Sequence, residues 1–72
     1  MYKYTVEMKN FYQLITIYAD RERMDDGWLY FEIADNTPTG TKYRIIAAYD
    51  LCNVRIWNNE TLMEKMKEQY GN

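Results

Sequence analysis

The sequence predicts a small α+β protein, in which an antiparallel β-sheet of about five strands forms a meander and one C-terminal α-helix packs on one face. Apolar and polar residues alternate along several short segments, as they do in half-buried strands. Turn-forming residues separate these segments. After residue 57 the apolar spacing changes to that of an amphipathic helix. The 72 residues therefore predict one domain, with the meander over 1–57 and the helix over 58–70.

The first two strands are predicted on either side of a polar dipeptide. Residues 2–8 alternate strictly between apolar and polar side chains. Lys9 and Asn10 interrupt this pattern, and asparagine tolerates the positive φ of a tight hairpin turn. Residues 11–19 form the second predicted strand, because their density of β-branched residues disfavours a helix.

The strongest turn signal in the chain is Asp25-Asp26-Gly27, since Asp-Gly suits the central positions of a two-residue hairpin turn. Residues 20–24 before it are interpreted as a bend with a short, edge-like extension. Residues 28–33 after it form the third predicted strand, which is apolar on both faces. Its two faces are Leu29, Phe31 and Ile33 on one side, and Trp28, Tyr30 and Glu32 on the other.

The second half of the chain predicts a loop, two strands and the helix. Residues 34–41 contain the only proline and several other turn formers, and are interpreted as a loop. Residues 43–49 are apolar on both faces, which favours a central strand, and residues 54–57 form a short fifth strand. Asn58-Asn59 predicts the N-cap of a helix that ends near Tyr70, with Gly71 as the residue that terminates it.

The predicted core lies between one face of the sheet and the apolar stripe of the helix. The phase of the fourth strand stays open, because a slip of one residue exchanges Ile45 and Ile46. The predicted core residues are Val6, Ile15, Ile17, Leu29, Phe31, Ile33, Ile46, Ala48, Val54, Ile56, Leu62 and Met66.

Composition limits the classes of function that the chain can have. A single cysteine excludes an internal disulfide, and the lack of histidine leaves little support for a zinc site or a catalytic nucleophile. The net charge of −2 argues against a general nucleic-acid binder. The N-terminus does not resemble a signal peptide, and no apolar run is long enough to span a membrane. We therefore expect a cytoplasmic protein that is not an enzyme and holds no cofactor and no metal.

The main functional hint is the second face of the predicted sheet, which is rich in tyrosine, tryptophan and arginine. These residue types are enriched at interface hot spots, and so apolar a face is rarely left to water. The pattern therefore predicts a surface for a partner or for homo-oligomerisation. The alternative is that these residues are cross-strand pairs that stabilise an exposed sheet face. The predicted binding residues are Trp28, Tyr30, Trp57, Tyr18, Tyr43, Arg44 and Arg55, with Tyr12 as a further candidate.

The stretch from Asp20 to Trp57 also resembles a hairpin pattern found in small uncharacterised proteins of bacteriophages and bacteria. In that pattern an acidic-Gly turn precedes a tryptophan and an apolar strand, as Asp25-Asp26-Gly27-Trp28 does here. A following strand ends in Ala47-Ala48 plus an aromatic residue, and a valine-containing strand closes the sheet. The resemblance covers about half of the chain and implies a phage or mobile-element origin, without implying any catalytic residue.

Three functional hypotheses follow. The first is a small interaction protein, phage-encoded in keeping with the resemblance, that binds and inhibits or modulates a host protein through the aromatic face. The second is a homo-oligomer that holds a nucleotide-like small ligand at a subunit interface, where the ligand stacks on tyrosine and tryptophan rings. The third is a single-stranded nucleic-acid binder, in which arginines such as Arg21 and Arg23 contact phosphates. A core this small also favours a partner or a homo-oligomer as a source of stability.

Overall fold

The computed structural model describes residues 1–10 and 13–70, with side-chain environments up to residue 68. It shows an α+β architecture, as predicted from the sequence. The predicted start of the second strand at Phe11, the candidate Tyr12 and the terminating Gly71 lie outside the described residues. The elements are β1 (Tyr2–Met8), β2 (Leu14–Ala19), β3 (Arg21–Asp25), β4 (Trp28–Thr37), β5 (Gly40–Asp50), a 3₁₀ turn (Leu51–Asn53), β6 (Val54–Asn59) and α1 (Glu60–Tyr70).

The strands form two antiparallel sheets of three strands each, where the sequence predicted a single meander of about five. The first sheet has the order β2-β1-β6 and the second has the order β3-β4-β5. The chain passes from the first sheet to the second at Asp20. The backbone N–H of Asp20 donates to the carbonyl of Glu32 at 2.8 Å, and its carboxylate accepts from the N–H of Ala34 at 2.7 Å. These bonds fix the bend, so the segment after it becomes the edge strand of a new sheet.

The two hairpin turns of the second sheet differ in how well the sequence predicts them. Asp26 and Gly27 have φ of 49° and 81°, so both central residues adopt the left-handed region that a type I′ turn requires. This predicted hairpin is confirmed. The predicted loop over 34–41 is wrong, because β4 and β5 continue until only Pro38 and Thr39 remain between them. The strands there form an arm beyond the core, where burial does not impose an apolar pattern.

The core lies between the sheets. Tyr4 of β1 packs against Phe31 of β4, with ring centroids 5.0 Å apart. Val6, Ile17, Leu29, Phe31 and Val54 are buried as predicted, while Ile15 and Ile33 are partly buried. Tyr4 and Ala19 are buried residues that the prediction did not include.

A β-bulge in β5 explains why the predicted burial of Ile46 and Ala48 is wrong. Phe31 pairs with Ala47 and Glu32 pairs with Ile45, so Ile46 is an extra residue on β5. Ala47, which pairs with buried Phe31, therefore faces the core, while Ile46 and Ala48 are exposed. The prediction of a central strand is also wrong, since β5 is an edge of its sheet.

A second bulge, in β6, exchanges the side chains that face the core with those that face solvent at the end of that strand. Met8 pairs with Val54 and Glu7 pairs with Ile56, which leaves Arg55 as the extra residue. Ile56 is consequently exposed, against the prediction, and Trp57 packs against the core. A single-residue shift of phase exchanges the two faces of a strand, so one bulge is enough to reverse both assignments.

Helix α1 is attached to the first sheet through its polar first turn. The N–H of Leu62 donates to Asn59 Oδ1 at 3.0 Å, which confirms the predicted N-cap. The N–H of Lys3 donates to Thr61 Oγ1 at 2.9 Å, and Thr5 Oγ1 donates to Glu60 Oε1 at 2.8 Å.

The apolar stripe of α1 does not lie against the sheet. Leu62 and Met66 are 45% and 57% exposed, so their predicted place in the core is wrong. The helix follows β6 directly, without a connecting loop that could turn its stripe onto the sheet. Across residues 1–10 and 13–70, no helix has the length and apolar character needed to cross a lipid bilayer.

Candidate functional site

The outer face of the second sheet, which points away from the core, collects the aromatic and arginine side chains of three strands. We call it the aromatic face. Its members alternate with the buried Leu29 and Phe31 of β4, and their cross-strand partners share the same side. The members are Arg21 and Arg23 of β3, Trp28, Tyr30 and Glu32 of β4, and Tyr43, Ile45, Ile46 and Ala48 of β5.

Glu32 lies at the centre of the aromatic face and is only 4% exposed. Pairing of β3 with β4 places Arg21 directly opposite Glu32 and Arg23 opposite the preceding face residue, Tyr30. Arg21 Nε donates to Glu32 Oε1 at 2.7 Å, and Arg23 Nε donates to the same oxygen at 3.3 Å. Arg23 Nη2 reaches Oε2 at 3.4 Å. Two guanidinium groups on the edge strand thus hold one buried carboxylate on the central strand.

The same two guanidinium groups also stack on tyrosine rings. Arg21 Cζ lies 3.3 Å from the centroid of the Tyr43 ring, and Arg23 Cζ lies 4.5 Å from that of Tyr30. To reach Tyr43 on β5, Arg21 crosses the central strand, where the residue opposite Tyr43 is the small Ala34. Each arginine therefore makes an ion pair and a cation–π contact, which fixes the rings as well as the charges.

The electrostatics of this cluster favour its fully charged form. Burial alone would raise the pKa of Glu32, but the hydrogen bonds and charges of Arg21 and Arg23 outweigh burial and hold that pKa below its ordinary value. The hydrogen bond to Glu32 raises the pKa of Arg23 in turn. Glu32 is therefore ionised at neutral pH although it is buried.

The other half of the aromatic face is apolar and exposed. Ile45 and Ile46 are 49% and 37% exposed, and Trp28 and Tyr43 are exposed to a similar extent. Ile45 pairs with Glu32 of the aromatic face, and Ile46, the extra residue of the bulge, is exposed next to it. The result is an apolar strip that runs along β5, next to the charged cluster.

The structure brings together three of the seven sequence-predicted binding residues, namely Trp28, Tyr30 and Tyr43. The other four lie elsewhere. Tyr18 and Arg55 are exposed on the outer side of the first sheet, where Arg55 Nη1 lies 3.4 Å from Glu7 Oε1. Trp57 packs against the core, and Arg44 lies on the opposite side of the β4–β5 arm from Tyr43, paired with Asp35 at 3.1 Å.

The sequence prediction missed the ionic half of the face. From the sequence, Arg21 and Arg23 are expected only as phosphate contacts, and Glu32 lies on this face without a predicted role. Two signals could have identified the cluster. Arg21 and Arg23 are spaced to share one face of a strand, and Glu32 stands alone among the apolar residues of its strand, where a carboxylate needs a cationic partner.

The described residues also form a cleft of about 290 Å³ at one end of the core. Burial raises the pKa of Tyr49, one of its residues. The cleft is lined by Met8, Asn10, Gln13, Ile15, Tyr49 and Asn53.

Across residues 1–10 and 13–70, no group of three or more Cys, Asp and Glu residues is arranged to hold a metal ion.

Comparison of the chain with protein-family models, with curated proteins and with solved structures finds no match. The function is therefore inferred from the geometry of the aromatic face.

Proposed function

We propose that this is a non-enzymatic interaction protein that binds a protein partner through the aromatic face. The observation that carries the proposal is the apolar strip from Tyr43 to Ala48, which stands exposed beside an ordered Arg–Glu–Arg cluster. An apolar centre with a polar, hydrogen-bonding flank is the usual anatomy of a protein interface.

The side chains of the aromatic face are already held in place, which supports the use of this face in binding. Association costs about 0.5–1.5 kcal/mol for each flexible side chain that becomes fixed. Here Arg21 and Arg23 are already held by Glu32, and they hold the rings of Tyr43 and Tyr30 in turn. A partner that docks on this face meets side chains that have little further freedom to lose.

The charges and rings of the face favour a protein over a nucleic acid or a nucleotide-like ligand. Base stacking needs open ring faces, but a guanidinium covers one face of Tyr43 and another covers one face of Tyr30. Phosphate binding needs unbalanced positive charge, whereas Glu32 pairs with both arginines and Asp25 lies 3.3 Å from Arg23 Nη1.

The resemblance to small phage and bacterial proteins extends the proposal to the kind of partner. A phage-encoded protein of this size would bind a host protein in the cytoplasm and inhibit or modulate it. This extension rests on the resemblance, while the choice of binding surface rests on geometry.

Site-directed photo-crosslinking tests the proposal. Trp28 is replaced by the photoreactive residue p-benzoylphenylalanine in one variant, and Met24 is replaced in the control. Met24 belongs to the same hairpin and is similarly exposed, but it pairs with Leu29 and points to the other side of the sheet. We expect a specific protein adduct from position 28 and none from position 24, in the cells that make the protein.

The captured protein is then purified and titrated with the wild type, with Trp28→Ser and with Met24→Ser. Truncation of a hot-spot aromatic residue typically costs 2 kcal/mol or more, so Trp28→Ser should weaken the affinity by about 30-fold or more. Met24→Ser should leave it unchanged. Equal adducts from both positions, or adducts that a nuclease removes, would contradict a protein-binding role for this face.

A further inference from the structure

β5 is the longest strand with an open edge in the described part of the chain. It spans 11 residues, whereas β2, β3 and β6, which also end their sheets, span five or six. Its outer edge faces no other strand among the described residues. A long edge of this kind presents free backbone N–H and C=O groups that can pair with another strand.

The outer half of β5 also lacks support from the core. From Ala34 to Tyr43, the β4–β5 hairpin runs past the buried cluster as a two-stranded arm, and none of these residues is buried. A two-stranded ribbon is at most marginally stable in water without a third strand or a packed face. A strand added along β5 would supply that support.

The dimensions of the molecule point to surface that another chain covers. Its radius of gyration is 14.0 Å, against about 11 Å for a compact domain of this length. Its accessible surface is 5385 Å², which exceeds the roughly 4800 Å² of a folded monomer of this size by roughly 600 Å². In a standard interface each partner buries about 800 Å² of its surface. The excess accessible surface of this chain is of the same order.

The sequence of β5 is complementary to itself in one antiparallel register. A twofold axis between Ile45 and Ile46 sets Tyr43 against Ala48 of a second copy, and Arg44 against the second Ala47. Tyr43 and Arg44 then each lie opposite a small alanine, Ile45 lies opposite the second Ile46, and no like charges oppose each other, a pattern that stabilises cross-strand pairs.

The bulge makes this register possible. Cross-strand partners must share a face, and residues 43 and 48 would lie on opposite faces of a regular strand. The extra residue, Ile46, shifts the phase, so that Tyr43 and Ala48 both lie on the aromatic face. The hydrogen-bonding directions agree for the Tyr43–Ala48 pair. Thr37 and Gly40 close a two-residue hairpin and form a hydrogen-bonded pair, so alternation turns the N–H of Tyr43 and, beyond the bulge, that of Ala48 outward.

We propose that two copies of the chain pair antiparallel along the outer edges of β5, about a twofold axis between Ile45 and Ile46. The two second sheets then join into one continuous six-stranded sheet. This dimer does not depend on the proposed partner. It leaves Trp28, Tyr30 and the Arg–Glu–Arg cluster open and places the two aromatic faces side by side.

A pair of cysteines tests the register. The variant Tyr43→Cys/Ala48→Cys is made in a Cys52→Ser background, because Cys52 is exposed. In the proposed dimer the two new thiols face each other as a pair with Cα atoms about 5.5 Å apart, within disulfide range. In one chain they lie about 17 Å apart along the strand, so they cannot join. Oxidation with diamide should therefore give a covalent dimer on non-reducing gels.

The control is Thr41→Cys/Ala48→Cys in the same background, whose thiols lie two residues out of register and beyond the range of about 7 Å for a disulfide. It should give little covalent dimer. Equal yields from the two variants would overturn the proposed register.

Sedimentation velocity tests the dimer itself. The wild type should sediment as a dimer at micromolar concentration. Ala48→Pro removes an outward N–H without touching the β4–β5 bonds, so it should weaken dimerisation at least tenfold while the far-ultraviolet circular dichroism is kept. A wild type that stays monomeric up to about 100 μM (a weak dissociation constant for a stable dimer) would overturn the proposal.

Trp28→Ser should remain dimeric. If it dissociates, the aromatic face itself is the contact between copies, which contradicts edge pairing and the proposed hetero-partner face together.

Discussion

At the scale of single residues, Glu32 decides the chemistry of the aromatic face. A buried carboxylate without partners is costly, and two hydrogen-bonded guanidinium groups offset this cost only if both keep their positions. Both arginines are more than a third exposed, so the pair energies are screened and the net stabilisation is modest. The cluster therefore contributes more to the order of the face than to the stability of the fold.

Glu32→Gln should lower the free energy of unfolding by about 1 kcal/mol, because it weakens the hydrogen bonds that Arg21 and Arg23 donate to this buried side chain. Urea denaturation at pH 7 measures the change. Glu22→Gln is the matched control, since Glu22 is an exposed carboxylate on the same edge strand, and it should change the stability by no more than about 0.5 kcal/mol. Equal effects of the two substitutions would show that the cluster does not hold Glu32.

The same residue gives a pH dependence whose sign follows from the lowered pKa of Glu32. A carboxyl group with a lower pKa in the folded state stabilises the fold above its unfolded pKa of about 4.3, and this stabilisation is lost as the pH falls through the folded pKa. The stability difference between the wild type and Glu32→Gln should therefore be largest at neutral pH and shrink toward pH 3. A difference that stays constant between pH 7 and pH 3 would contradict this assignment.

At the scale of elements, the sequence predicts the strands far better than their phases. Alternation and the Asp26-Gly27 turn identify the hairpins, because burial of one face imposes a period of two. A bulge adds one residue without any compositional signal. The bulge in β5 falls in a segment that is apolar on both faces, and the bulge in β6 falls at Arg55, between Val54 and Ile56. The inward assignments of Ile46 and Ile56 are wrong for this reason, and the bulge in β6 turns Trp57 to the core. Trp28, Tyr30 and Tyr43 lie outside both bulges and share one face.

The bulge in β6 makes a testable contrast between two neighbouring apolar residues. Val54→Ala should cost about 2 kcal/mol, since it removes buried methyl groups and leaves a cavity. Ile56→Ala removes more atoms but from an exposed side chain, and should cost less than about 1 kcal/mol. Chemical denaturation of both variants measures the difference. If Ile56→Ala is the more destabilising change, β6 has no bulge and the regular alternation holds.

Helix α1 offers a second contrast, between its cap and its stripe. Asn59→Ala removes the side chain that accepts from the N–H of Leu62 and should cost about 1 kcal/mol. Met66→Ala should cost no more than about 0.5 kcal/mol, because Met66 is mostly exposed. The two unfolding free energies, with the helical signal in circular dichroism, measure both effects. A loss of 2 kcal/mol or more for Met66→Ala would place the helix stripe on the sheet after all.

At the scale of the whole molecule, the alternating segments and the C-terminal helical spacing predict a small α+β protein, and the structure confirms that class. The division into two sheets could not be predicted, because it depends on the bend at Asp20, whose carboxylate binds the N–H of Ala34 from a distant part of the chain. The β4–β5 arm could not be predicted either, because Pro38 and its polar neighbours have the composition of a loop. Both features depend on long-range pairing and not on local pattern.

The marginal core and the proposed β5 dimer together predict a thermal stability that depends on protein concentration. If folding and pairing are coupled, mass action favours the folded dimer at higher concentration. With an unfolding enthalpy of roughly 0.7 kcal/mol per residue, a tenfold rise in concentration should raise the thermal midpoint by up to about 5 °C. Calorimetry over a hundredfold range of concentration measures this shift. Ala48→Pro should show a lower midpoint than the wild type at each concentration, because its fold gains less from pairing. A wild-type midpoint that is constant over the same range would mean that the 14.0 Å radius belongs to a chain that is stable alone, and that the β4–β5 arm stays folded without a second copy.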